Sequence, residues 1–432
     1  MRVLRYTSKT YVRSLKSLDR RAEPADDVRD TVSAILGDVR ENGDKAVISL
    51  AKKFDKASLT PKTLAVTQVE FAAAEAGASP ETKRHVKASH KNVLTFAKKS
   101  LRNDWSMKNA QGAEVGEIFL PFERVGCYVP GGSAPLVSTA IMTVTLAAAA
   151  GVPEIVACTP CGPDGKVNPS LLYALHVAGA TEVYKIGGAQ AIAALAYGTK
   201  TIRPVAKIFG PGNRFVVEAK RQAIGSVAID LLPGPSEILI LADSSGNASF
   251  IASDLLAQAE HGGDSQVCFI TDSEKLLDDV QVEVKSQAKT LSRQDPIKNV
   301  LKNGTTLVLA ESLEQGAEIA NGYAPEHITL ITRREKKIMP LIRTAGAIFL
   351  GNHSAVAAGD FLAGPSHTLP TGGAGKSFPG LTVDMFQKRT SIVRLNPEAA
   401  AKSAPIVSAL ATLEGLDAHA HSATIRAGKR KA

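Results

Sequence analysis

The segment RVGCYVPGGSAPLVSTAIMTVTLAAAA, residues 124–150, is the part of the sequence most informative about the fold. Its apolar start at residues 125–130 predicts a strand, and the Pro-Gly-Gly at 130–132 predicts a turn. The run of small and apolar residues at 138–150 then predicts a helix. A strand, a glycine turn and a helix in this order are typical of a βαβ unit, so these residues predict a parallel sheet covered by helices.

The same alternation continues along the chain in two runs. The first run predicts further strands at 154–158 and 182–186, with helices at 170–179 and 191–197. The second run predicts helices between the following strands: 237–243, 266–271, 305–310, 327–331 and 347–351. Helices of this length between strands indicate two separate doubly wound units.

The two ends of the chain show a different pattern. Apolar residues recur at helical spacing in 31–39 and 46–54, and the residues up to about 109 are predicted to be mainly helical. After about Lys388 the sequence again predicts helices. The predicted fold class is therefore α/β, with two Rossmann-like doubly wound parallel-sheet domains and small helical N- and C-terminal appendages.

The composition of the chain narrows the possible functions. The chain has 432 residues, a hydrophobic fraction of 44% and a charged fraction of 22%, which are ordinary values for a globular protein. Its net charge of +9 is dispersed apart from residues 83–91 and the C-terminal end, and aromatic residues make up only 5%. We therefore expect no nucleic-acid partner.

Cysteines and apolar runs argue against further classes of protein. Four cysteines in a chain of this length do not form a disulfide framework. Cys158 and Cys161 form a CxxC pair, but a zinc ribbon needs a second pair, and a redox role is a weaker alternative than incidental cysteines. No apolar run reaches spanning length and the N-terminus lacks a signal-peptide core, so we expect a soluble intracellular protein without a membrane partner.

The segment APEHITLI, residues 324–331, raises a question about burial. Its last five residues predict a buried strand, yet that strand opens with the adjacent residues Glu326 and His327. Neighbouring side chains of a strand point to opposite faces, so one packed surface cannot shelter both. The pair therefore lies either in solvent at a strand end or at a site that uses an acid and an imidazole together.

Three glycine-rich turns follow predicted strands and precede predicted helices, where nucleotide-binding sheets place them. They lie at residues 128–132, 187–190 and 209–213. Glycine allows the backbone to approach a phosphate, and the N-terminus of a helix attracts negative charge. None of the three matches GxGxxG, so a dinucleotide or phosphate ligand and ordinary strand-to-helix turns are both open.

Histidines and carboxylates occur in three other segments. Gln258 and His261 are three residues apart at the end of a predicted helix, which indicates half a metal site or a capped helix end. Asp360 and His367 lie in a Gly/Pro loop beyond a predicted strand, where parallel sheets bind ligands, although a turn stabilised by Asp360 is the alternative. The third segment contains Glu414, His419 and His421. It either contributes side chains to a site or is a solvated tail.

Eight segments of the chain carry a family resemblance. In order they are YVPGGSA, IGGAQAI, FGPGN, GPSE, AQAEH, APEH, AGPSHTLP and LEGLDAH. The chain resembles the histidinol dehydrogenase family, in which these segments occur in the same order, from about Asp26 to Arg426. Eight ordered segments are far more specific than a single glycine motif.

The resemblance implies an oxidation of L-histidinol through L-histidinaldehyde to L-histidine with two NAD⁺, the last step of histidine biosynthesis. It implies that Glu326 and His327 are the catalytic pair at the mouth of the site, with His327 as the base and Glu326 activating water. It also implies one zinc ion per subunit, held by Gln258, His261, Asp360 and His419.

Further ligand contacts are implied by the same resemblance. The implied substrate-binding residues are Ser236, Gln258, His261, His327, Asp360, Glu414 and His419. The implied NAD-binding residues are Tyr128, Gln190 and Asn213. We expect His367 to support the site from outside the ligand shell, and His421 competes with His419 for the role of C-terminal metal ligand.

We expect four parts along the chain. Their expected bounds are 1–24 for an N-terminal arm, 25–127 with 239–380 for the first α/β domain, 128–238 for the NAD-binding domain, and 381–432 for a small helical domain. The resemblance implies that the last part reaches the active site of a second subunit, in a cytoplasmic homodimer with shared sites. A related dehydrogenase of another polar alcohol, such as a sulfonated diol, is the alternative function.

Overall fold

The computed structural model describes residues 1–19, 26–131 and 134–427. Three features of the sequence lie outside these ranges: the expected domain boundary at 24 and 25, Gly132 in the first glycine turn, and the basic end at 428–432. Among the described residues, none of the helices combines the length and the apolar composition that a bilayer crossing requires.

The described residues contain both predicted runs of strands and helices. The strands are β1 (Arg2–Arg5), β2 (Trp105–Lys108), β3 (Glu114–Pro121), β4 (Arg124–Tyr128), β5 (Glu154–Cys158), β6 (Glu182–Tyr184), β7 (Lys207–Phe209), β8 (Ala228–Ile229), β9 (Glu237–Ala242), β10 (Gln266–Thr271), β11 (Thr305–Leu309), β12 (His327–Ile331), β13 (Ala347–Leu350) and β14 (Gln387–Arg394). The α-helices are α1 (Tyr11–Leu15), α2 (Arg29–Asn42), α3 (Asp44–Asp55), α4 (Gln68–Gly77), α5 (Pro80–Ser100), α6 (Val137–Ala149), α7 (Pro169–Ala178), α8 (Gly188–Tyr197), α9 (Arg214–Ala223), α10 (Ala248–Ala259), α11 (Glu274–Gln287), α12 (Gln294–Asn303), α13 (Leu313–Tyr323), α14 (Glu335–Ile338), α15 (Val356–Phe361), α16 (Pro397–Leu413) and α17 (Asp417–Arg426). Each strand predicted in the two α/β runs is present, within two residues at either end.

Two parallel sheets share one strand order. The five-stranded sheet has the order β6-β5-β4-β7-β8, and the six-stranded sheet has the order β1-β11-β10-β9-β12-β13. Numbered within each α/β unit, both sheets run 3-2-1-4-5, and β1 adds one edge strand to the larger sheet. The order reverses between β4 and β7 and between β9 and β12, which are the topological switch points of doubly wound sheets. The predicted α/β class is confirmed.

The six-stranded sheet is buried on both faces because its central strands are uninterrupted apolar runs. All residues of β9, EILILA, are buried. Ile238 and Ile240 pack with α10, α11 and α12 on one face, while Leu239 and Leu241 pack with α1 and α13 on the other. β1 pairs with β11 along the edge, so residues 2–5 belong to this sheet and differ from the arm expected at the N-terminus.

The N-terminal helices pack on the five-stranded sheet. One continuous core joins Val32 of α2 and Val93 of α5 to Val125 of β4. The expected domain boundaries grouped residues 25–127 with 239–380. In the structure, the helices α2, α4 and α5 pack elsewhere, because their apolar faces are covered by α6, α7 and α8. These helices therefore belong to the smaller α/β unit.

A third sheet is antiparallel and was not predicted from the sequence. Its order is β14-β3-β2, and β14 pairs along its whole length with β3. Most residues of β14 are exposed, so the buried alternation that indicates a strand is missing. We expected the segment from residue 381 to be wholly helical. Instead, Leu381 and Phe386 pack in the core of the five-stranded sheet, and only the part after β14 is helical, as α16 and α17.

A buried ion pair fixes the turn that follows β7. Lys220 on α9 and Asp230 after β8 contact each other, and both side chains are fully buried. Lys220 also donates to the carbonyl of Gly210 (3.0 Å), and the Gly210 N–H donates to Asp230 (2.8 Å). Gly210 has a φ of +111°, and a Cβ there would lie 2.2 Å from the carbonyl oxygen of Tyr128, so only glycine fits. The pair thus holds this turn against the end of β4.

Replacing Lys220 with Met should destabilise the protein strongly, because the Asp230 carboxylate then stays buried without its partner. Removing one member of a buried pair costs about 3–5 kcal/mol of the free energy of unfolding. Urea denaturation followed by circular dichroism measures the loss. The control is Lys275→Met, which breaks an exposed ion pair with Asp279 on α11 and should leave unfolding almost unchanged. Equal stability of Lys220→Met and wild type would contradict this account.

Candidate active site

A cavity of about 680 Å³ is lined by both α/β units. From the smaller unit come Pro130, Gly212 and Asn213, which follow β4 and β7. The larger unit contributes Ser236, Gln258, His261, Glu326, His327, Asp360 and His367. The cavity therefore brings together the predicted catalytic pair and three of the four predicted metal ligands.

The two sheets present opposite edges to this cavity. The turns after β4 and β7 lie at the carboxyl edge of the five-stranded sheet, whereas Ser236 precedes β9 and His327 begins β12 at the amino edge of the six-stranded sheet. The expectation that Asp360 lies in a loop at a carboxyl edge was wrong. Asp360 lies in α15, which follows β13 and returns to the start of β12, where the Asp360 carboxylate is 3.4 Å from His327 Nε2.

Glu326 and His327 are buried together, with 5% and 4% of their surfaces exposed, so they lie inside the cavity and not at its mouth as expected. β12 begins only at His327, and Ala324 has a left-handed φ of 49°, so Glu326 does not follow the alternation of the strand. The N–H of Glu237 donates to Glu326 Oε2 (2.8 Å), and Nδ1 of His327 donates to the carbonyl of Glu237 (3.0 Å). One backbone residue therefore holds both side chains.

Burial and charge shift the pKa values of this pair. Burial raises the pKa of the Glu326 carboxyl. Burial alone would lower the pKa of His327, but the carboxyls of Glu326 and Asp360 outweigh it and raise that pKa. His327 Nδ1 lies 3.6 Å from the Glu326 carboxylate. An acid and an imidazole with shifted pKa values in one cavity are suited to proton transfer.

Gln258, His261 and Asp360 offer three donor types to the cavity. Gln258 is 3% exposed, and its amide nitrogen has no hydrogen-bond partner among the described residues; a half-turn of the amide presents its oxygen instead. Burial lowers the pKa of His261, which favours a neutral imidazole. Burial would raise the pKa of Asp360, but the adjacent His327 imidazole outweighs it and lowers that pKa. An unpaired amide, a neutral imidazole and a carboxylate fit a mixed N/O zinc site.

The predicted ligand set is incomplete within one chain. In the part of the chain that the structure describes, no group of three or more His, Cys, Asp or Glu residues is arranged to hold a metal ion. Glu414 follows α16 and His419 lies on α17; both are exposed, and neither lines the cavity. His421, the expected competitor of His419, is exposed on the same helix. A single chain thus keeps the C-terminal residues apart from the rest of the predicted site.

His367 connects the two units beside the cavity. Its Nδ1 donates to the carbonyl of Asp360 (3.1 Å), so its Nε2 accepts from the Thr139 hydroxyl on α6 (3.1 Å). Burial lowers the pKa of His367, which keeps the ring neutral for this pair of contacts. The geometry suits the supporting role expected for this residue.

The three predicted NAD-binding residues, Tyr128, Gln190 and Asn213, line a second cavity of about 400 Å³. The Tyr128 hydroxyl accepts from the N–H of Gly188 at the start of α8 (3.0 Å). The Oδ1 of Asn213 caps α9, which leaves its amide nitrogen for a ligand. Asn213 also lines the first cavity, so the two cavities meet at the turn after β7.

Sequence reasoning missed several residues around these cavities. Glu237 is buried, and its carboxylate also accepts the N–H of Gly372 (3.0 Å). An acid at the start of a predicted buried strand could have indicated a functional residue, because burying a carboxylate is costly unless it is hydrogen-bonded. Thr139 on α6 and Asp55, the last residue of α3 and part of the lining of the second cavity, carried no such signal. Hydroxyls inside helices and acids at helix ends are ordinary.

Cys158 and Cys161 lie outside both cavities. They are buried and free, and burial raises the pKa of the Cys161 thiol to about 11. A thiol with a raised pKa is a poor nucleophile, so the structure favours incidental cysteines over a redox pair.

Comparison with known proteins finds relatives of the whole chain. The family model described as histidinol dehydrogenase matches residues 18–427. The histidinol dehydrogenase of Xanthomonas euvesicatoria pv. vesicatoria is 40% identical over 406 residues, 94% of each chain. That of Xylella fastidiosa strain Temecula1 is 40% identical over 431 residues, 99% of each chain. The crystal structure of histidinol dehydrogenase from Elizabethkingia anophelis has a TM-score of 0.94 and 36% identity, covering 99% of this chain and 98% of that one.

Proposed function

The chain belongs to the histidinol dehydrogenase family of oxidoreductases, and we propose that it oxidises L-histidinol through L-histidinaldehyde to L-histidine with two NAD⁺ and one zinc ion per subunit. The observation that carries the proposal is the joint burial of Glu326 and His327 against the backbone of Glu237. The same cavity holds Gln258, His261 and Asp360. A proton-transfer pair beside such a donor set suits the oxidation of an alcohol.

His327 is the base in both oxidations. Its Nδ1 proton is committed to the carbonyl of Glu237, so the neutral ring carries its lone pair on Nε2. This Nε2 atom is without a hydrogen-bond partner in the described part of the chain and lies in the cavity beside Asp360. It takes the hydroxyl proton while hydride leaves the carbinol carbon for the nicotinamide. Proton transfer to a positioned base is worth about 10²–10⁴-fold in rate.

Glu326 serves the second oxidation, in which the aldehyde must first gain water. The Glu237 N–H holds Oε2 of Glu326, and the other oxygen is the one that takes a proton from water. Burial raises the pKa of this carboxyl, which makes the carboxylate a stronger base. After His327 has released its first proton to solvent, the hydrated aldehyde gives hydride to a second NAD⁺ while His327 takes the hydroxyl proton.

Gln258, His261 and Asp360 would hold zinc together with His419 from a second copy of the chain. When bound, zinc supplies orientation of the substrate first and Lewis acidity second. The chain itself contributes the neutral imidazole of His261 and the Asp360 carboxylate, whose lowered pKa keeps it ionised. Ser236 lines the same cavity and offers its hydroxyl to a polar substrate.

The second cavity is suited to NAD⁺. Tyr128, Gln190 and Asn213 offer hydroxyl and amide groups, and the N-terminus of α8 opens into the same cavity. Because Asn213 lines both cavities, a dinucleotide with its adenosine in the second would extend its nicotinamide into the first. That path would bring the nicotinamide to the cavity that contains His327.

The C-terminal segment supports a homodimer with shared sites. Large apolar side chains are exposed along α16, α17 and their connection: Ile406, Val407, Leu410, Leu413, Leu416 and Ile425. Exposed apolar surface of this kind marks an interaction site. Glu414 and His419 lie on this segment, so its docking on a second subunit completes that subunit's site in a two-fold arrangement. We place this biosynthetic enzyme in the cytoplasm.

Replacing His327 with Asn should slow both oxidations by about 10²–10⁴-fold with zinc retained, because the base acts in each. Glu326→Gln should instead slow mainly the aldehyde step, where water is activated. NADH formation from histidinol and from histidinaldehyde separates the two effects, and metal analysis reports zinc. Glu318→Gln, which neutralises an exposed acid on α13, is the control. Oxidation of the aldehyde by Glu326→Gln at the wild-type rate would refute the role of Glu326.

Mixing two inactive variants tests the shared site. His261→Asn and His419→Asn chains form mixed dimers in which one site has both intact ligands and the other has neither. With random exchange, half the dimers are mixed, so activity should recover to about one quarter of wild type. His261→Asn with Asp360→Asn, whose defects lie in the same cavity, should recover nothing. Full subunit exchange without recovery in the first mixture would show that the tail serves its own chain.

A further inference from the structure

Asp55, the last residue of α3, lines the second cavity together with Tyr128, Gln190 and Asn213. One of its carboxylate oxygens, Oδ2, is buried and has no hydrogen-bond partner within the described ranges. Burial raises the pKa of this carboxyl, because the charged form has lost water without gaining donors. A ligand with hydroxyl groups would supply those donors.

The position of Asp55 meets a requirement of dinucleotide-binding sheets. In such sheets an acid beyond the second strand binds the ribose hydroxyls of the adenosine. The second strand of the five-stranded sheet is β5, and the residues that follow it are Thr159, Pro160 and Cys161, none of which is acidic. Asp55 reaches the same cavity from the N-terminal helices, and Pro160 also lines that cavity.

The other walls of the second cavity suit an adenosine without a 2′-phosphate. Phe54 and Phe215 line the cavity, and Phe54 is 49% exposed, so an aromatic face is available to a base. None of the described lining residues is Lys or Arg. A phosphate group, with a charge of about −1.5 to −2, would meet a carboxylate and no cation.

We propose that Asp55 accepts hydrogen bonds from the 2′- and 3′-hydroxyls of the adenosine ribose and thereby selects NAD⁺ over NADP⁺. The assignment rests on the proposed cofactor site and adds the residue that sets its specificity. Hydrogen bonds to an ionised carboxylate are stronger than neutral ones, so two of them contribute substantially to nucleotide affinity. The same carboxylate repels a 2′-phosphate.

Calorimetric titration of the full-length protein with ADP-ribose and with 2′-phospho-ADP-ribose tests this role without turnover. Wild type should bind ADP-ribose and reject the phosphorylated form. In Asp55→Asn the Kd for ADP-ribose should rise roughly tenfold or more, and the preference should fall by a similar factor. Asp55→Ser should behave alike, and thermal melts show that both variants are folded. Asp30→Asn, which neutralises an exposed acid on α2, should change neither quantity.

Kinetics give a second readout. Asp55 lies away from the reacting atoms, so Asp55→Asn should raise the KM for NAD⁺ with little change in kcat, and kcat/KM for NADP⁺ relative to NAD⁺ should rise. Unchanged affinity and unchanged discrimination in folded Asp55 variants would overturn the assignment and leave NAD⁺ use intact. Wild type that binds neither nucleotide would overturn the proposed cofactor together with the role of Asp55.

Discussion

Two hydrogen bonds to the backbone of Glu237 hold Glu326 and His327 at 2.8 and 3.0 Å. Glu237 begins β9, a central strand buried along its whole length, so these backbone groups are as rigid as the sheet itself. β12 pairs with β9 in a register that sets His327 opposite Ile238, and strand pairing therefore supports the same placement as the hydrogen bonds. A buried acid and a buried imidazole are tolerated together because fixed partners satisfy them.

The opposed edges of the two sheets explain why the proposed reaction needs both units. The five-stranded sheet supplies backbone turns at its carboxyl edge, where parallel sheets bind nucleotides. The six-stranded sheet supplies polar side chains at its amino edge, where apolar strands begin and Glu237, Glu326 and His327 can reach the cavity. The hydrogen bond between His367 and Thr139 joins the units beside the cavity. In the proposed reaction this arrangement would bring the hydride donor and the hydride acceptor together.

The sequence predicted the parts of the structure that rest on local patterns. Uninterrupted apolar runs identified the central strands. Ordered motifs predicted a site that contains Glu326 and His327, and the first cavity brings these two residues together. β14 escaped prediction because most of its residues are exposed, so no buried alternation marks it. The sheet against which α2–α5 pack could not be predicted. The sequence of an amphipathic helix shows that one face is buried, but not which sheet covers that face. Asp360 lies in a six-residue helix, which is too short to show helical periodicity in the sequence. The role proposed for Asp55 depends on the residues that line the second cavity with it, and most of these are distant in the sequence.

The proposed mechanism requires one site to carry out two successive hydride transfers from the same carbon. Histidinol with two deuterium atoms on its carbinol carbon tests this most directly, with mass spectrometry of the cofactor and the products at complete conversion. Two successive transfers should give two deuterated NADH molecules for each histidine formed, no deuterium released to water, and little free aldehyde during turnover. One deuterated NADH per histidinol, with histidinaldehyde accumulating and retaining its remaining deuterium, would contradict it.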